Sequence, residues 1–182
     1  MVDCSGPALI DDVQGMLMNN ADSQAAKSER RIDRWFDRYA VCHTNHTNKL
    51  IHYICVPVIT ACVLGLSWAI PVTAEFGPWM NVATLVTMVA TIFYVRLSIV
   101  LASGMLLCTL PILGLFYWMT ISGNAQLVWQ SSLVLFVAAW ILQFIGHEIE
   151  GTKPAFLEDL QFLMIGPLWI LARVMGRFGI RY

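Results

Sequence analysis

Apolar residues fall in four long runs, at about 51–71, 79–95, 98–121 and 127–146, separated by short turn-forming stretches. A helix needs roughly 20 apolar residues to cross a bilayer, so each run reads as a membrane span. The second is short, because Arg96 ends it. PVTAEFGP divides the first two spans and SGNAQ the last two. A fifth run, LQFLMIGPLWILARVM (160–175), is shorter and contains Gly166-Pro167. It is expected as a broken, interfacial or re-entrant helix over about 157–176. Upstream, ERRIDRWFDRYAVC sets Ile32, Trp35, Phe36 and Tyr39 at helical spacing with arginines on much of the other face. That pattern suits an amphipathic helix on an anionic membrane surface; a solvated helix packed on the protein's own cytosolic face is the alternative. Residues 1–27 read as a polar tail and 28–182 as one membrane-embedded domain. The fold expected is all-α: an integral membrane four-helix bundle with an N-terminal surface helix and a C-terminal interfacial or re-entrant one.

Charge supports the count of spans. Lys27, Arg30, Arg31, Arg34, Arg38 and Lys49 precede the first span, Arg96 lies between the second and third, and Lys153, Arg173, Arg177 and Arg181 follow the fourth. With four spans all eleven Lys and Arg residues fall on one side, and the loops at 72–78 and 122–126 carry none. Lys and Arg favour cytoplasmic loops, so both termini are expected in the cytosol. A fifth full span would strand Arg173, Arg177 and Arg181 on the wrong side.

Composition agrees. Of 182 residues, 58% are hydrophobic and 13% charged, with mean hydropathy +0.65; soluble domains carry about 25% charged residues. A net charge of −1 argues against a nucleic-acid partner. The five cysteines form no C-x-x-C pair and read as small buried hydrophobes. No secretory signal peptide is expected at the N-terminus, since MVDCSGPALIDDVQGMLMNN lacks a basic start and a continuous apolar core. The tryptophans at 68, 79, 118, 129 and 169 read as membrane-interface anchors.

The four histidines change the picture. His43 and His46 precede the first span, His52 lies in its first turn, and His147 ends the fourth beside Glu148 and Glu150. The topology puts all four in one thin cytosolic slab. Ionisable groups at membrane depth are costly and face a bundle interior or a polar cavity, so imidazoles and carboxylates at one level point to a metal site. His147 and Glu150 share a helix face at i, i+3. His43 and His52 are nine residues apart, about 180° around a straight helix at 3.6 residues per turn, so one ion could not reach both without a break. His-Thr-Asn-His-Thr-Asn supplies one: its helix propensity is low and Thr44 or Asn45 can cap a new helix. Glu150 could instead cap a following turn or pair with Lys153. Glu148 points off the His147 face. Lys153, Arg173 and Arg177 are candidate partners for an anionic head group.

YAVCHTNHTNKLIHYICVP (39–57) and QFIGHEIEGTKPAFLEDLQFLMIGPLW (143–169) resemble the fungal-type 2-hydroxy fatty acid dioxygenases and their bacterial relatives. The matching positions are His43, Asn48, His52 and Pro57 in the first stretch, and Gly146-His147, Glu150 and Pro154-Ala155 in the second. Relatives often carry Pro where this chain has His46, which fits a helix start and argues against His46 as a ligand. The resemblance implies an Fe(II)- and O₂-dependent α-oxidation in phytosphingosine breakdown, in which a 2-hydroxy fatty acid loses one carbon. His43, His52 and His147 are then the expected Fe(II) ligands. Glu150 would be a fourth ligand or an acceptor for an imidazole N–H; Asn48, from the motif, and Lys153 and Arg173, from their charge, are the candidate substrate contacts.

Rival readings are a haem-binding electron carrier with His52 and His147 as axial ligands, a zinc-dependent membrane hydrolase, and a non-catalytic scaffold. The expected membrane is a bacterial inner membrane or the endoplasmic reticulum. Homo-oligomerisation stays open.

Overall fold

A computed structural model of the chain describes residues 31–41, 43–73, 77–151 and 161–182. Residues 35–182 form one compact unit. The expected polar tail, 1–27, lies outside the described residues. Those described form six helices: α1 (Arg31–Val41), α2 (His46–Trp68), α3 (Val82–Leu97), α4 (Ile99–Ile121), α5 (Ala125–Glu150) and α6 (Gln161–Arg177). They contain no strand, only an isolated antiparallel bridge between Pro71 and Asn81. The protein is an all-α integral membrane bundle. α2, α4 and α5 have 23, 23 and 26 residues and are long and apolar enough to cross a membrane; α3, the short second run, has 16. Side chains such as Leu107 and Val134 point outward, 77% and 69% exposed. Lipid rather than water suits such surfaces.

Local chemistry sets the helix boundaries. Asn45 caps α2, its side chain accepting the Thr47 N–H at 2.8 Å. Asn81 caps α3 through Thr84, and Ser98 both ends α3 and caps α4 from a single extended residue. α5 follows Gly123 and stops at Gly151, whose φ values of 81° and 75° lie in the left-handed region that glycine tolerates.

α2 and α5 pack most closely. Cys55 and Ile59 of α2 meet Ala139 of α5 midway, while Leu64 and Trp68 join Ala83, Leu113, Phe116 and Val128 further along. A Cβ at Gly65 would overlap the Ser132 side chain, so glycine permits the approach there. At the opposite end, a Cβ at Gly146 would stand 2.5 Å from Asn48 Oδ1.

Three expectations are corrected. α6 is a continuous helix through Gly166-Pro167, not a broken one. Pro167 only withholds the N–H that would bond the Leu163 carbonyl, and burial of Ile165, Leu168, Trp169, Ile170 and Ala172 holds the helix in place. Trp68 and Trp169 are 6% and 2% exposed, core residues rather than interface anchors, whereas Trp79, Trp118 and Trp129 are exposed. Of the cysteines described, Cys55 and Cys62 are buried but Cys108 is exposed.

Candidate metal centre

The break between α1 and α2 brings His43 and His52 together. α1 ends at Val41, His43 follows with its N–H bonded to the Ala40 carbonyl at 3.0 Å, and α2 starts afresh at His46. The His43 and His52 rings stand 4.3 Å apart between centroids, and those of His43 and His147 5.3 Å apart. His52 and His147 are 4.9 Å apart. Each pair is nearly perpendicular, at 73° to 85°. One nitrogen from each ring lies within 4.8 Å of the others, and all three residues are buried.

Backbone hydrogen bonds orient two of the rings. His43 Nδ1 lies 2.6 Å from the Tyr39 carbonyl and His52 Nδ1 lies 2.9 Å from that of Asn48. A carbonyl only accepts, so each Nδ1 carries the proton and each Nε2 keeps its lone pair. His43 Nε2 is buried without a hydrogen-bond partner among the described residues. Burial pushes the His43 imidazole below the ordinary histidine range, which keeps it neutral near pH 7. Tyr39 stacks on His43 at 4.2 Å, and Trp169 of α6 lies 5.3 Å from Tyr39 and 6.1 Å from His43. The histidines open on a cavity of about 50 Å³, also lined by Val56, Ile59, Thr60, Gln143, Leu163 and Pro167.

Glu150 does not join the three imidazoles. Its carboxylate accepts the N–H of Thr44 at 2.7 Å, the N–H of Asn45 at 3.0 and 2.9 Å, the Thr44 hydroxyl, and Asn48 Nδ2 at 3.0 Å. The last residue of α5 thus occupies the N-terminus of α2, where unpaired N–H groups and the helix dipole favour an anion. Asn48 is fully buried and links three parts: its amide reaches Glu150, its carbonyl holds His52, and it packs on Gly146. His46 is exposed at the first residue of α2, apart from the cluster, and Glu148 is exposed. Arg173 is exposed with its guanidinium 4.5 Å from the Trp169 ring centroid. Lys153 lies outside the described residues.

Sequence reasoning missed Gln143. It sits one turn before His147 on the same face of α5, is 5% exposed, and its side-chain oxygen is unpartnered among the described residues. An amide four residues before His147 inside an apolar span was the available signal.

A helical membrane bundle with three buried imidazoles at one end of its tightest helix pair defines a membrane protein with a metal-capable histidine centre. The chain belongs to the Mpo1-like family, described as 2-hydroxy-palmitic acid dioxygenase Mpo1-like, whose pattern matches residues 30–178. It is 28% identical over 148 residues to the 2-hydroxy-palmitic acid dioxygenase MPO1 of Saccharomyces cerevisiae (strain ATCC 204508 / S288c), covering 78% of each chain. No solved structure matches. Membership makes this chain a dioxygenase at the level of the family.

Proposed function

We propose that the protein is an Fe(II)-dependent dioxygenase that converts 2-hydroxy fatty acids and O₂ into fatty acids one carbon shorter, with His43, His52 and His147 as the metal ligands. The carrying observation is the convergence of three buried imidazoles, with the Nε2 atoms of His43 and His52 left available by their backbone-bonded Nδ1 atoms. Buried unpartnered polar atoms are rare, and His43 Nε2 is one that a metal would satisfy. Imidazole donors suit iron, zinc, copper and nickel; the yeast relative's oxidation of 2-hydroxy-palmitic acid, as its name states, favours iron. Three imidazoles converge where a haem would take two, which weighs against the electron-carrier reading.

The overall conversion is R–CH(OH)–COOH + O₂ → R–COOH + CO₂ + H₂O. The C1–C2 bond breaks, the substrate gives up four electrons to O₂, and no outside reductant is needed. When bound, iron would supply the site at which substrate and O₂ meet. The protein's part is to position. Tyr39 and Asn48 carbonyls fix two imidazoles, and Glu150 fastens α5 to the start of α2. Gln143 offers its side-chain oxygen to the substrate's 2-hydroxyl. Trp169 and the apolar lining limit water. Arg173 is the candidate carboxylate partner, and both termini are read as cytosolic.

Purified protein, assayed for metal and for O₂-dependent turnover of 2-hydroxypalmitic acid, tests the reading. Stoichiometric iron and one CO₂ released per O₂ consumed are expected. Stoichiometric zinc with O₂-independent hydrolysis would overturn it.

A further inference from the structure

A second cavity, of about 360 Å³, lies among α2, α3, α4 and α6. It adjoins the histidine cavity, with Ile59, Thr60, Leu163 and Pro167 lining both. From there it follows α3 from Tyr94 back to Leu85, nine residues or about 13 Å of helix. Leu64 of α2 and Val86 of α3 lie toward its far end, where α3 begins beside the end of α2.

Its lining is mainly apolar, and its hydroxyls have their protons committed to the backbone. Thr60, Thr87, Thr91 and Thr109 each donate their hydroxyl to the backbone carbonyl one turn earlier, at 2.7–2.9 Å. Tyr94, where the groove is nearest α6, donates to the Met164 carbonyl at 2.9 Å. Protein interiors are filled to near-crystalline density, so this space is not ordinary core. Val89 is 60% exposed, which leaves the α3 wall open along the lipid-facing side.

We propose that this groove is the seat of the substrate's alkyl tail and sets the accepted chain length, with Ala90 lining its middle and Val86 its far end. The assignment rests on the oxidation of 2-hydroxy fatty acids proposed above. Its place against the histidine cavity, across four shared lining residues, commits it to the tail of the molecule whose head reaches the metal centre. A tail longer than the groove would leave past α3 into lipid, so entry is sideways from the bilayer.

Turnover of 2-hydroxy acids of graded length tests this, with metal content as a check on folding. Ala90→Trp should retain metal and short-chain turnover, while kcat/KM for 2-hydroxypalmitic acid falls at least about tenfold, the smaller effect of one misfitted methylene in an apolar pocket. Val86→Trp should affect only longer substrates. A 2-hydroxy acid with a photoreactive tail should label α3 or α4, and 2-hydroxypalmitic acid but not phospholipid should block the labelling. If both variants keep the wild-type length profile, or phospholipid blocks labelling equally well, the groove is an ordinary lipid seat and the assignment falls while the proposed function stands. A wild-type protein that turns over no 2-hydroxy acid defeats the proposed function instead; labelling elsewhere in that protein would remove the groove assignment as well.

Discussion

Asn48 Nδ2 donates to Glu150 Oε2 at 3.0 Å across 102 residues of sequence, joining the first turn of α2 to the last residue of α5. His52 hangs from the Asn48 carbonyl and His147 lies one turn before Glu150, so this bond sets the separation of two proposed ligands. Glu150→Ala should keep all three imidazoles but loosen their spacing and free the α2 N-terminus. Polar groups that support metal ligands typically change metal affinity or activity by 10- to 100-fold. A loss of about that size in iron affinity is expected from a chelator competition, with Glu150→Gln smaller because one oxygen still accepts. Complete loss of binding would make Glu150 a ligand.

Alanine at His43, His52 or His147 should abolish stoichiometric metal retention, because each removes one of three donors. Alanine at exposed His46 should retain it. Metal analysis of the four purified variants decides the ligand set, and His147→Ala with full metal content would dismiss the centre.

Much of this site can be read from the chain because its parts are local. Apolar runs mark the helices, and the Thr-Asn pairs between His43 and His52 forecast the interruption that lets their rings converge. The i, i+3 spacing puts Glu150 and His147 on one face of α5, yet the partners of Glu150 are not legible in it, since Thr44 and Asn45 become neighbours only when α2 and α5 pack. Trp169 shows the same limit: a tryptophan near an apolar run reads as an interface anchor, and only the docking of α6 over Tyr39 reveals it as buried behind Tyr39 and His43. Pro167 suggests a break, but local sequence does not report the packing that keeps α6 whole.

Gly146 is the point of closest approach. A methyl group there would meet Asn48 Oδ1 at 2.5 Å and Ile51 Cδ1 at 3.3 Å, and Asn48 is fully buried with no slack. Gly146→Ala should therefore push α5 from α2 and destabilise the protein by about 1–3 kcal/mol, the usual cost of overpacking. Thermal unfolding should show the loss, and metal retention should weaken with it. An unchanged Tm would mean that the two helices have room to spare.

Gln143 separates substrate recognition from metal binding. Its buried side-chain oxygen lines the histidine cavity unpartnered among the described residues, and the distinguishing group of the proposed substrate is a 2-hydroxyl that can donate to it. Gln143→Leu puts an apolar side chain of similar size in its place and removes the acceptor. A hydrogen bond contributes about 0.5–1.5 kcal/mol net, so KM for a 2-hydroxy acid should rise roughly two- to twelvefold with metal content unchanged. An unsubstituted fatty acid of the same length makes no such bond, so its inhibition constant should stay put. Equal weakening of both ligands would show that Gln143 shapes the cavity without reading the hydroxyl.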